Sequence, residues 1–125
     1  MIAKVVDASV LGAVVFNEPR LAEAVALLRD ADLLAPTLLA YELGSIARKK
    51  ILLYPAITAE LSASLEDALA MDIGCVEVDQ RAVVELALES GLTTYDASYL
   101  HLARSHNVPL VTFDQQLLSA VAGAS

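Results

Sequence analysis

Basic residues are scarce in this chain. Eight Lys and Arg stand against sixteen Asp and Glu in 125 residues, a formal charge of −8. That balance excludes a protein that grips nucleic acid through a broad basic face. Cysteine occurs once, at Cys75, which excludes a disulfide framework and a Cys-rich zinc site. No apolar run reaches the ~18 residues a membrane span needs, because charges interrupt every one. The opening MIAKVVDAS has neither a long apolar region nor a cleavage site, so it does not read as a secretory signal. Internal repeats, low-complexity tracts and linkers rich in Gly, Ser or Pro are missing too. These absences point to a soluble cytoplasmic domain.

What is there is apolar. Hydrophobic residues make up 57% of the chain and charged ones 19%, a composition that excludes disorder. The length suffices for a core without disulfide or metal staples. We expect one domain over residues 1–122 and a frayed tail at 123–125. The hydrophobic pattern alternates between short β-branched runs and helical spacing. Strands are expected at Ile2–Val6, Leu33–Ala35, Cys75–Val78 and Val108–Phe113. Helices are expected at Ser9–Phe16, Arg20–Asp30, Leu38–Lys50, Ile57–Leu69, Arg81–Ser90, Tyr95–His106 and Gln115–Val121. In the second of these Leu21, Val25 and Leu28 form the apolar stripe, and in the fourth Ile57, Leu61, Leu65 and Leu69 do. Gly91 closes the fifth. Strands alternating with helices imply right-handed crossovers and a parallel sheet covered on both faces, hence an α/β sandwich.

Ligands of such folds bind beyond the carboxyl ends of the strands. Asp7 directly follows the first strand, and Asp114 the last. Asp96 opens the helix in TTYDASYLHLAR, and Glu42 lies inside the apolar LLAYELGSIA. Each has an ordinary explanation taken alone. Asp7 and Asp114 suit N-caps, Asp96 suits a first helical turn capped by Thr94, and Glu42 suits an exposed helix edge. Taken together they imply something else. Four carboxylates gathered in one partly dry pocket, with no Lys or Arg adjoining Asp7, Asp96 or Asp114, repel one another strongly. Each uncompensated buried ion costs several kcal/mol, against the ~5–15 kcal/mol that holds a domain together. A cation offsets them, or some stay protonated. Oxygen ligands without His or Cys suit Mg²⁺ or Mn²⁺, whose natural reaction is phosphodiester cleavage.

The segments VVDASVL, AYELGSIARK, LTTYDASYLHLAR and PLVTFDQQL, in this order and spacing, are similar to those of the PIN domain, and in particular to VapC-type toxin ribonucleases of toxin–antitoxin pairs. The resemblance spans nearly the whole chain and is most specific around Asp96. It implies a three-layer sandwich with a central parallel sheet; five strands are usual in the family, and four are read here. It implies that Asp7, Glu42, Asp96 and Asp114 form a metal-binding nuclease site, with Asp7 and Asp96 the most direct ligands. It further implies RNA as substrate, a small antitoxin protein as partner and a homodimer. Ser9 and Thr112 match family positions that hydrogen-bond the site; for Ser9 a plain helix cap explains it equally well. Ser45 stands where the family often has Asn, one helical turn from Glu42, and this implies a looser corner and lower activity.

Arg48-Lys49-Lys50 is the only basic run. A solvated helix C-terminus accounts for it, and the functional alternative is that Arg48 and Lys49 hold RNA phosphates beside the pocket. His101 and His106 diverge around a helix and share no metal. Tyr95 and Tyr99 read as core packing rather than base stacking. Leu38, Leu39, Tyr41 and the turn Leu52–Pro55 are candidate contact surfaces, with core packing as the alternative. Other functions remain open at this level: a catalytically silent binding module, a nucleotidase, or a phosphoacceptor domain. The last requires paired acids after the first strand and a Lys after the fifth, and Asp7 has no acidic neighbour while the lysines are Lys4, Lys49 and Lys50.

Overall fold

β1 (Ile2–Val6) lies in the middle of a four-stranded parallel sheet, and its two last residues show why. Val5 and Val6 are fully buried yet belong to different core clusters, one on each face of the sheet. A strand's period of two sends successive side chains to opposite sides, so only a strand covered on both faces buries both. The structure, a computed structural model, describes residues 2–123.

After β1 come α1 (Ala8–Val15), α2 (Leu21–Leu28), β2 (Ala31–Pro36), α3 (Leu38–Leu53), a short 3₁₀ turn (Pro55–Ile57), α4 (Thr58–Leu69), β3 (Ile73–Val76), α5 (Gln80–Ser90), α6 (Thr94–His106), β4 (Leu110–Val111) and α7 (Gln115–Gly123). The sheet order is β3-β2-β1-β4. From β1 the chain steps outward to β2 and β3, then crosses back to place β4 on the other side of β1. Right-handed crossovers put α1–α4 on one face and α5–α6 on the other. The core divides in the same way. Val10, Leu11, Leu39, Leu43 and Leu61 pack with Val6. Tyr99, Leu102 and Ala103 pack with Val5, while Val83, Leu86, Leu100 and Leu117 fill the space under α7. This is the three-layer sandwich expected. Among the described residues the sheet has four strands, and no helix is long and apolar enough to cross a membrane.

Several boundaries differ from expectation for local reasons. β4 is two residues long rather than six. Its flanking backbone groups have other partners: Val108 N–H bonds Ala103 O, Phe113 N–H bonds Ser9 Oγ and Asp114 N–H bonds Thr112 Oγ1. Pro109 has no N–H to give, though its carbonyl accepts from Val5. β3 starts and ends two residues earlier than expected, in register with β2 from Leu33↔Ile73 to Pro36↔Val76. Val78 instead belongs to the link before Asp79, which caps α5. α3 continues three residues further, to Leu53, and stops at Tyr54 because Pro55 follows. α7 runs through Gly123, two residues beyond the expected end; the remainder of the expected tail, 124–125, lies outside the described residues.

Two apolar stripes were also misplaced. In α2 Ala24 is the buried position and Val25 is exposed. In α4 Leu61 is buried, whereas Ile57 (in the preceding turn) and Leu69 are exposed and Ala68 is buried in their place. A repeat of four advances about 40° per step around a helix of 3.6 residues per turn, so its ends swing out to solvent. Gly91 caps α5 at φ 73°, a left-handed conformation natural to glycine.

Candidate active site

The sheet order reverses between β1 and β4, the place where open α/β sheets leave a crevice at the carboxyl ends of their strands. Asp7 and Asp114 follow these two strands. Asp96 comes from the first turn of α6, and Glu42 from the second turn of α3. All four line one cavity of about 670 Å³. The four acids singled out from sequence are therefore brought together.

Asp7 is buried, with 5% of its surface exposed. It caps α1, as the ordinary reading expects, and also faces the cavity, so the two readings are compatible. Oδ1 accepts from Ser9 N–H (3.1 Å), Ser9 Oγ (2.6 Å) and Val10 N–H (3.2 Å). Oδ2 accepts from Thr112 Oγ1 at 2.5 Å. Ser9 Oγ in turn accepts from Phe113 N–H and Thr112 Oγ1 from Asp114 N–H. Two hydroxyls thus lock the end of β1 to the segment after β4. Thr112 acts from beyond the strand, which ends at Val111.

Asp114 caps α7 through Oδ1, which accepts from Leu117 N–H at 2.9 Å. Asp96 lies in a first turn whose cap is Thr93 rather than Thr94. Glu42 is half-buried. Its Oε1 accepts a 2.5 Å hydrogen bond from the phenol of Tyr99, itself 1% exposed. Sequence reasoning took Tyr99 for core packing and missed this bond. The available signal was that a buried phenol needs an acceptor, and an acid in equally apolar surroundings supplies one.

The electrostatics follow from this crowding. Burial raises the Asp7 carboxyl above its ordinary value, against the lowering effect of its hydrogen bonds. Burial also raises Glu42; Tyr99 opposes, and Asp96 and Asp7 add to the rise. Asp96 is raised by burial and then by the charges of Asp114 and Asp7. Burial, and next the bond to Glu42, push the Tyr99 phenol up, so it stays protonated and donating.

Lys49, Ser45, Tyr41 and Tyr95 complete the cavity's polar and aromatic lining. Tyr95 is 62% exposed, so it is not a core residue. Arg48 is exposed and does not line the cavity, and Lys50 pairs with Glu18 at 3.3 Å. The basic run therefore brings one cation, Lys49, to the site. Among the described residues Ser45 Oγ has no hydrogen bond to Glu42. Leu39 is buried core, whereas Tyr41, Leu52, Leu53 and Tyr54 are exposed.

The donors facing the cavity are oxygens, as hard divalent cations require. Glu42 Oε2 and Asp114 Oδ2 accept no hydrogen bond from the described residues, and Asp7 Oδ2 accepts only one. Each keeps a lone pair for an ion. As the side chains stand, no three His, Cys, Asp or Glu among the described residues converge closely enough to enclose a metal.

The sequence and the fold have relatives among known proteins. The family model for the PIN domain matches residues 4–124. The chain belongs to the PIN domain family. This PIN domain is similar to the protein named Exonuclease VapC9 from Pyrobaculum aerophilum, with 36% identity over 84 residues, 67% of the chain. The match spans 63% of that relative's own length, less than two thirds. It is also similar to the crystal structure of PAE2754 from Pyrobaculum aerophilum, with a TM-score of 0.75 and 31% identity. That likeness covers 95% of the PIN domain and 86% of the other chain.

Proposed function

We propose that this PIN domain is a divalent-metal-dependent ribonuclease of the VapC type, the toxin of a type II toxin–antitoxin pair. The observation that carries the reading is the set of acids at the sheet's reversal point, three of them with raised carboxyl pKa values and none of them in an ion pair among the described residues. A site of this kind is unfavourable as it stands and becomes favourable when a cation joins it. The printed name of the VapC relative, an exonuclease, supports nuclease chemistry.

A bound Mg²⁺ or Mn²⁺ supplies charge neutralisation at the phosphate and acidifies the attacking water. Asp7 is the fixed ligand, since four hydrogen bonds leave its carboxylate one orientation. Asp96 is the second direct ligand. Glu42 and Asp114 complete the acidic cluster and position a second ion or the water. Lys49 meets a substrate phosphate. No His is needed as general base, in keeping with a cavity lined by none.

The partner expected with this function is a small antitoxin that places an Arg or Lys among the carboxylates. The exposed apolar residues Leu52, Leu53 and Tyr54 offer a contact surface for it or for a second copy of the chain. The deciding experiment incubates the purified chain with a mixed RNA pool with and without Mn²⁺ and maps the cut ends. Cleavage that requires the metal and is lost in Asp96→Asn is expected. Intact RNA under all metal conditions overturns the reading.

A further inference from the structure

Two largely exposed tyrosines line the cavity. Tyr41, on α3, is 78% exposed, and Tyr95, on α6, is 62% exposed. Both line the acid-floored cavity, and neither phenol has a hydrogen bond to any described residue. α3 and α6 belong to opposite faces of the sheet, so the two rings reach the cavity from different layers. Nearby Leu38 and Ile46 make the same wall apolar.

We propose that Tyr41 and Tyr95 form a nucleobase-stacking subsite that receives single-stranded RNA on either side of the phosphate being cut. The proposal rests on the ribonuclease reading and names the form of RNA that the same site takes.

The first argument is space. A cavity of about 670 Å³ is far larger than one or two ions require. It lies within the roughly 300–1,000 Å³ typical of sites for organic ligands. Its acidic floor takes the ion-bridged phosphate, and its aromatic wall takes what adjoins the phosphate.

The second argument is charge. RNA binding usually draws its affinity from Lys and Arg that displace counterions. This chain carries −8 overall, and three of its eight cations are committed elsewhere. Lys50 pairs with Glu18, Arg20 with Glu23, and Lys4 donates to Leu27 O. Lys49 is the one cation lining the cavity among the described residues. Affinity for a polyanion must then come from contacts that do not depend on net charge. Stacking of bases on aromatic rings is such a contact, and it tolerates any base because every base has a π-face. A duplex hides those faces, so the subsite selects unpaired RNA.

The test measures binding of a short single-stranded oligoribonucleotide containing 2-aminopurine, whose fluorescence is quenched on stacking. Asp96→Asn serves as background so that the probe stays intact. Added Tyr41→Ala or Tyr95→Ala is expected to weaken Kd by about 5- to 100-fold, the range for loss of one base–aromatic stack, and to relieve the quenching. Tyr→Phe at either position restores both. Duplex RNA of the same sequence binds more weakly and is indifferent to the substitutions. The salt dependence should be shallow, with a slope near −1, because about one phosphate meets a protein cation.

Affinities within twofold of the background for both Ala variants overturn the proposal, as do Phe variants no better than Ala. Loss of self-association in the Ala variants with unchanged RNA binding assigns the face to protein contact and overturns it too. Metal-dependent cleavage by the unsubstituted chain is scored separately. Tyrosine-dependent binding without cleavage removes the nuclease reading alone, and cleavage with tyrosine-independent binding removes the stacking subsite alone.

Discussion

Tyr99 and Glu42 are 57 positions apart in sequence, yet the Tyr99 phenol donates a 2.5 Å hydrogen bond to Glu42 Oε1. The bond joins the helical layers on either side of the sheet in the lining of the acidic cavity. It fixes one oxygen of Glu42 and leaves the other without a hydrogen bond from the described residues. It also opposes the rise in the Glu42 pKa that burial produces.

Tyr99→Phe should therefore act on the site more than on the fold. The ring keeps its packing, while the donor to a charged acceptor is lost, a bond worth about 1.5–3 kcal/mol. We expect Mn²⁺ affinity to fall about tenfold, and the acid limb of the pH–rate profile to move to higher pH as Glu42 becomes harder to ionise. Calorimetric titration of the metal and a pH profile check both. A purely structural role lowers the melting temperature and leaves the limb where it was.

Asp7 carries two duties that substitutions can separate. Asp7→Asn keeps an oxygen to accept from Ser9 N–H and Val10 N–H, so α1 stays capped. Its amide can donate to Thr112 Oγ1, whose hydroxyl turns. The fold should survive and cleavage should fall by at least a hundredfold, with metal-free stability equal to or above that of the parent. Asp7→Ala removes the cap as well, and should cost a further ~0.5–2 kcal/mol. Urea denaturation of the two variants beside a cleavage assay distinguishes the duties; equal stability of Asn and Ala variants counts against the cap.

The raised carboxyls set the pH dependence of the metal-free protein. Asp7, Glu42 and Asp96 have ordinary values of 3.8, 4.5 and 3.8 and are raised on folding. Between those values and the raised ones, the folded chain holds protons that the unfolded chain has released. Stability therefore falls as pH rises through that window. Melting temperature in chelator should be higher near about pH 5 than near about pH 7.5, and Asp96→Asn should flatten the difference. Saturating Mn²⁺ should reverse it, because protons then compete with the ion. A profile in chelator that rises toward neutral pH contradicts the electrostatics described.

Much of this was readable from the chain before folding. Val5 and Val6, apolar in succession, announced a strand buried on both faces, and all four strands were found. The four acids stood out because their neighbours are apolar, and burial is what perturbs Asp7, Glu42 and Asp96. What stayed hidden depended on tertiary partners. Whether Tyr95 or Tyr99 is buried cannot be told from a spacing of four, because both lie on one side of α6 while Tyr95 is 62% exposed and Tyr99 1%. The end of β4 was obscured because Phe113 and Asp114 give their N–H groups to side chains brought from elsewhere. Lys49 and Arg48 differ only by the 100° turn between successive helical residues, which the basic run does not resolve.

That difference predicts unequal effects. Lys49 lines the cavity and Arg48 does not. Lys49→Ala should raise KM for RNA about fivefold with little change in kcat, and Arg48→Ala should change KM less than twofold. Steady-state cleavage of one oligonucleotide by both variants checks this. Equal effects place the basic run on the substrate as a whole.

Metal linkage gives the most direct reading of the site, because it needs no substrate. An ion that binds the folded chain alone stabilises it by RT ln(1 + [L]/Kd), about 2.7 kcal/mol at a hundredfold excess over Kd. For a domain of this length that corresponds to a rise of roughly 10 °C in melting temperature. The parent chain should show such a rise with millimolar Mn²⁺ and lose it with chelator. Asp7→Asn and Asp96→Asn should each remove most of it, since they delete the two proposed direct ligands. Lys49→Ala should keep it, or exceed it slightly, because a competing positive charge has gone. A parent chain whose melting temperature ignores Mn²⁺ would mean that the four carboxylates share a cavity without sharing an ion, and the burial that raises Asp7, Glu42 and Asp96 would then be balanced by protons instead.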